Sequence, residues 1–140
     1  MNNDTEAVPG WLPRLRDAFN RDPLVGLAGP LTTTPDSWQG RWPAARGTHI
    51  LAKGRMLAFF CVMIDRLVFE EIGLLDESYG VGFGDDDEFS RRAERANFLL
   101  ALAQDLRIPH HHRSTFKAIY SQPEIKRMQD AALAKFRAGL

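Results

Sequence analysis

Four consecutive carboxylic acids, Asp85-Asp86-Asp87-Glu88, stand between Gly82-Phe83-Gly84 and the pair Arg91-Arg92. One or two acids at a helix start simply offset the positive end of the helix dipole. Four in a row repel one another, and a proton or a cation is needed to relieve them. The glycines ahead of them let the backbone turn sharply and approach closely. Carboxylates presented this way suit a general base or an oxygen ligand for a divalent ion. A second reactive group is His110-His111-His112, which follows the apolar segment Leu106-Arg107-Ile108-Pro109. Adjacent residues of an extended chain point to opposite sides, so at most two of the three rings face one site. A three-histidine metal centre is thereby excluded, and a single imidazole remains as a metal or phosphate ligand. The third group, Asn2-Asn3-Asp4, is by itself an ordinary turn or cap sequence.

These groups depend on the elements around them. Trp11, Leu12, Leu15, Ala18 and Phe19 recur at helical spacing, with Pro13 in the first turn, so a helix is expected over residues 10–20. Residues 24–30 read as a short buried strand closed by Gly-Pro. Residues 32–47, rich in Thr, Ser, Gly, Pro and Trp, read as a long loop of the functional or mobile kind. Within it, Gln39-Gly40-Arg41-Trp42 resembles the Gln-x-x-Arg-Trp of processive polysaccharide synthases. Its spacing is one residue short and it precedes the acids, so it carries no weight. Residues 57–63 are expected to form a second strand, and Asp65 to cap a two-turn helix stopped at Gly73. The acids then open a helix of about ten residues, on which Phe89, Ala93 and Ala96 share a face. Residues 98–103 and 106–109 read as two extended pieces. Ser121 and Glu124 have capping-box spacing ahead of a last helix. Its face of Ile125, Met128, Ala132 and Phe136 must dock on this chain's core or on a partner. The order is α/β or α+β, a single domain over residues 1–140 with three or four strands.

Composition narrows the function. The 18 basic and 18 acidic residues cancel, so there is no general attraction to nucleic acid or to acidic membranes. The one cysteine, Cys61, lies in an apolar run and reads as a buried, reduced thiol of a cytosolic protein. The run 57–64 falls far short of the ~20 residues of a membrane helix. The polar, acidic start does not read as a signal peptide. The expected location is cytoplasmic, or peripheral to the inner face of a membrane.

Taken in order, the motifs resemble the family 2 inverting glycosyltransferases of the GT-A fold. Asn2-Asn3-Asp4-Thr5 followed by Pro9-Gly10-Trp11-Leu12 is similar to the family's nucleotide–metal motif, and Val25-Gly26-Leu27-Ala28-Gly29-Pro30 to its next strand. Phe60-Cys61-Val62-Met63-Ile64, with the segment from Val68 to Glu77, resembles the approach to the acceptor site. Asp85-Asp86-Asp87-Glu88 with Arg92 resembles the family's Glu-Asp-x-Asp and downstream arginine, with Asp85 where the family usually has Glu. Ile108-Pro109-His110 with Ser114-Thr115-Phe116 resembles its late histidine motif. Each match alone is unspecific; five in order are a strong signal.

The resemblance implies a partial GT-A fold, α/β, three-layered and Rossmann-like. The 140 residues would form its C-terminal, acceptor-side half, without the N-terminal nucleotide-binding strands. Asp4, with Asn2 and His110 (or His111) beside it, would hold Mn²⁺ or Mg²⁺ on the diphosphate of a nucleotide-sugar donor. Asp86, or Asp85 one position earlier, would take the proton of the hydroxyl on a glycan or other acceptor. Gly82, Gly84, Asp87, Glu88 and Arg92 would shape the acceptor loop, Arg92 by ion pairing. The resemblance further implies an exposed apolar sheet edge, to be covered by a second copy, by the missing N-terminal half or by a rearranged terminus. Two other readings share the same residues: a non-catalytic, dimerising glycan-binding or assembly fragment of glycosyltransferase origin, and a metal-dependent hydrolase.

Overall fold

The structure, a computed structural model, describes residues 1–80, 82–111 and 118–139. Four strands, β1 (Val25–Thr32), β2 (Thr48–Ile50), β3 (Met63–Ile64) and β4 (Leu99–Ile108), form one mixed sheet in the order β2-β4-β1-β3. β1 and β4 run parallel, while β2 and β3 pair antiparallel with β4 and β1 respectively. Every residue of β1 is buried, as befits a strand covered on both faces. Alternation along the strands sorts the side chains. Leu27, Leu31, Leu100 and Leu102 pack with Val68 of α3 (Arg66–Ile72) and Phe89 of α4 (Asp85–Arg95). Ala28, Ala101 and Ala103 fall in the clusters that contain Leu15 of α1 (Trp11–Asp17) and Ala18 of the 3₁₀ turn Ala18–Arg21. The chain is therefore α/β with helices on both faces of the sheet.

Local chemistry starts and stops the helices near the acids. Asp65 caps α3 by accepting from the Leu67 N–H at 2.9 Å, and Gly73 ends it with φ of 78°. Gly84 sits at the N-cap of α4 with φ of 79°, a left-handed conformation that strains any residue with a Cβ. The chain can therefore turn at Gly84 and deliver Asp85, Asp86, Asp87 and Glu88 into the first helical turn. The last helix, α5 (Gln122–Ala138), carries the Ser121–Glu124 capping box. It docks on the chain's own body. Ile125 and Ala132 are buried, the Arg91 guanidinium lies 4.9 Å from the Phe136 ring centre, and Lys135 meets Asp76 at 3.1 Å.

The structure corrects four expectations. Residues 57–63 are not a strand; only Met63–Ile64 pairs with β1. Beyond that pair, the Gln39 side chain stands where the ladder would continue. Its Nε2 donates to the Pro30 carbonyl at 2.7 Å, and its Oε1 accepts from the Ala58 N–H at 2.8 Å. The backbone groups are satisfied by an amide rather than by a strand, while Leu57, Phe60 and Cys61 are buried all the same. The expected loop 32–47 contains a short helix, α2 (Trp38–Arg41), capped by the Ser37 side chain. Thr48–Ile50 forms β2, which was not expected. Residues 98–103 and 106–109 belong to one strand, β4, because the register jumps from Pro30↔Ala103 to Leu31↔Arg107 and absorbs the break. The outer strands are only three and two residues long. Outer strands this short resist edge-to-edge pairing.

Candidate functional site

Residues from all three reactive groups meet in one cleft of about 550 Å³. The N-terminal segment contributes Asn2, Asn3 and Asp4. The glycine–acid turn contributes Gly82, Phe83, Gly84, Asp85, Asp86 and Asp87. The end of β4 contributes His110, and Ser37, Ala58, Phe59 and Phe60 complete the lining.

Backbone pairing brings Asp4 to His110. Thr5 and His110 form an antiparallel bridge. The His111 N–H donates to the Asp4 carbonyl at 2.8 Å, the Glu6 N–H to that of Pro109 at 3.0 Å, and the Asn2 N–H to that of Phe60 at 2.7 Å. Laid down in this way, Asp4 places Oδ1 3.2 Å from His110 Nε2, both side chains being mostly but not fully buried. The His110 ring stacks on Phe60 at 4.9 Å with 12° between the planes. Its backbone is held by Thr33 and Thr34: the His110 N–H donates to Thr33 Oγ1 at 3.3 Å, and Thr34 Oγ1 donates to the His110 carbonyl at 2.9 Å. Burial lowers the His110 pKa and the Asp4 carboxylate opposes it; burial is the larger effect, so the ring holds its proton less tightly than a free imidazole. His111 points away and pairs with exposed Glu6 at 2.6 Å. It is thus His110 that stands beside Asp4, while His112 and the Ser114-Thr115-Phe116 part of the late motif lie outside the described residues.

Asp86 is the carboxylate set apart by its surroundings. Burial, followed by the neighbouring charges of Asp87 and Asp85, pushes its pKa up to about 7. Two N–H groups oppose this, that of Asp87 at 2.9 Å to Oδ1 and that of Phe59 at 3.4 Å to Oδ2. Asp87 is raised as well, by burial and by Asp85. An aspartate that titrates near neutrality can both accept and release a proton there, which is what a general base requires.

Two of the residues expected in the acceptor loop sit behind the cleft. Glu88 is buried and pairs with Arg92 at 2.7 Å, and Arg92 also donates to the carbonyls of Ile72 at 2.5 Å and Leu74 at 2.8 Å. The pair ties α4 to the end of α3 and does not line the cleft. Sequence reasoning passed over Asn3, Ser37, Ala58, Phe59, Phe60 and Phe83 as cleft residues. The aromatic ones lay inside stretches already explained as core or turn.

Asp4 and His110 are one oxygen and one nitrogen donor, the right kinds for a divalent cation. They fit in type and not in number: among the described residues no group of three or more His, Cys, Asp or Glu is gathered for a metal. A cation held there would draw its remaining ligands from a bound anion and water. In comparisons with known proteins, no family model, no curated protein and no solved structure matches the chain.

Proposed function

We propose that the cleft is the acceptor and diphosphate side of an inverting sugar-transfer site, of the kind found in GT-A glycosyltransferases of family 2. The observation that carries this reading is the meeting, in one cleft, of Asp86 with a raised pKa and the Asp4–His110 pair. In this reading Asp86 takes the proton of the attacking acceptor hydroxyl. It is poised for that, because the base form is populated at pH 7 and its conjugate acid is not too strong. Phe59 and Phe83 beside it offer apolar faces of the sort on which a sugar ring packs. Asp4 and His110 would supply two of the ligands to Mn²⁺ or Mg²⁺, a hard ion whose chemistry there would be to offset negative charge on a diphosphate. In this reading the donor's nucleoside is held by a nucleotide-binding unit other than these residues, corresponding to the N-terminal half that the resemblance implies.

The test is an Asp86→Asn variant assembled with that unit and assayed against a panel of nucleotide sugars. Transfer falls by ~10²–10⁴-fold, the usual contribution of a positioned base, while nucleotide binding is unchanged. Turnover retained by the variant overturns the assignment.

A further inference from the structure

Gln39 lies in the stretch that sequence reasoning set aside, yet its side chain is completely buried. Burying an amide is unfavourable unless each end finds a partner. Here both ends do: Nε2 donates to the Pro30 carbonyl of β1 at 2.7 Å, and Oε1 accepts from the Ala58 N–H at 2.8 Å. The surrounding structure makes room for it. A Cβ on Gly40 would lie 1.8 Å from the Thr34 carbonyl oxygen, so α2 can pack this tightly only with glycine at that position. Ala58 and Phe59 both line the cleft, and the next N–H along from Ala58 is the one that Phe59 gives to Asp86 Oδ2. Apart from Phe59, the N–H given to the Asp86 side chain comes from its own helix neighbour, Asp87.

We propose that Gln39 is the positioning residue for Asp86, acting through the Ala58–Phe59 backbone that it anchors to β1. This rests on the reading of Asp86 as the acceptor base. The charged groups around Asp86 are Asp85 and Asp87 on its own helix, with Asp4 and His110 from the N-terminal segment and the end of β4 also lining the cleft. Gln39 reaches the carboxylate through the Ala58–Phe59 peptide chain, holding the Ala58 N–H while the Phe59 N–H goes to Asp86 Oδ2. Anchored by Gln39, the Phe59 N–H stays aimed at the ionised carboxylate and favours it. Released, it leaves Asp86 with the Asp87 N–H and two neighbouring negative charges.

The experiment follows Asp86 in the full chain by carboxyl-carbon NMR across pH, in the natural protein and in Gln39→Met, which keeps the volume and loses the amide. The expected result is an Asp86 midpoint raised by roughly half a unit in the variant, as follows from weakening a hydrogen bond to the charged form. The Phe59 N–H signal should also lose its response at that midpoint. A folded Gln39→Met protein with an unchanged Asp86 midpoint overturns the proposal, because a purely structural glutamine would lower stability and leave the titration alone. Should the variant fail to fold, the natural protein decides. The Gln39 side-chain amide and the Ala58 N–H must shift with the Asp86 midpoint and stop doing so in Asp86→Asn, while the Gln104 side-chain amide stays flat. Absence of that shift overturns the proposal equally. Neither measurement needs a sugar donor. Coupling without any transfer activity would reject the transferase reading alone, and transfer without coupling would reject only the role of Gln39.

Discussion

Asp4 Oδ1 and His110 Nε2 stand 3.2 Å apart, drawn from near the first residues of the chain and from the end of β4. Neither can be moved without disturbing the other, because the backbone bridge at Thr5 and His110 holds both. His110→Ala removes a partly buried hydrogen-bond partner and the ring stacked on Phe60. A loss of about 1–3 kcal/mol in unfolding free energy is expected, read by urea denaturation. Binding of a metal–diphosphate should weaken by at least ~10-fold, since losing even an outer partner of a metal site costs that much.

Asp86 makes stability depend on pH. Its folded pKa of about 7 lies above the ordinary aspartate value of 3.8, so the folded state holds the proton more tightly than the unfolded chain. Stability is then greatest below the lower value, declines as pH rises through the window between the two, and is level above it. Asp87, also raised, adds in the same direction. In Asp86→Asn the Asp86 part of this decline disappears. The variant should gain on the natural protein by an amount of order a few kcal/mol between the two ends of the window. Urea denaturation at closely spaced pH values checks this, and parallel curves for the two proteins would count against a buried, titrating Asp86.

Gly40→Ala tests the bracing of the cleft from behind. Its Cβ would fall 1.8 Å from the Thr34 carbonyl oxygen, a backbone atom that cannot swing aside. Overpacking of this kind costs typically about 1–3 kcal/mol or more. Thr34 also holds the His110 carbonyl, so the His110 ring signals should move in the variant's NMR spectrum even though residue 40 does not line the cleft.

Phe89 joins the core to the cleft. It is fully buried, with its ring centre 5.8 Å from that of Phe59 and 5.5 Å from that of Phe69. Phe89→Ala should destabilise the chain by about 3–5 kcal/mol, and Phe89→Leu by markedly less, since it fills most of the space. Thermal unfolding followed by circular dichroism separates the two.

Most helices could be read from the sequence because their signals are local. Asp65 and Gly73 bound α3, the glycine–acid turn opens α4, and Ser121 with Glu124 starts α5, each within a few residues. The failure at residues 57–63 came from a distant side chain. An apolar, aromatic run predicts burial, and Leu57, Phe60 and Cys61 are indeed buried. Nothing in that run shows that Gln39 takes up the Pro30 carbonyl and the Ala58 N–H, which otherwise would have joined a ladder. β2 was missed because three residues are too few to show alternation. In the site, Asp4, Asp86 and His110 could be picked out because their residue types and order stood out. Phe59, Phe60 and Ser37 could not, since an aromatic in an apolar run and a serine in a loop look the same in a cleft or away from one.

The central claim is that Asp4 and His110 receive a metal-bound diphosphate while Asp86 serves a different chemical step. Calorimetric titration of the full chain with inorganic pyrophosphate or a nucleoside diphosphate, in the presence of Mn²⁺, tests it most directly. The expected result is saturable binding in the micromolar to low-millimolar range, abolished by Asp4→Ala and preserved in Asp86→Asn. No binding up to millimolar ligand, or binding indifferent to Asp4→Ala, would contradict the account.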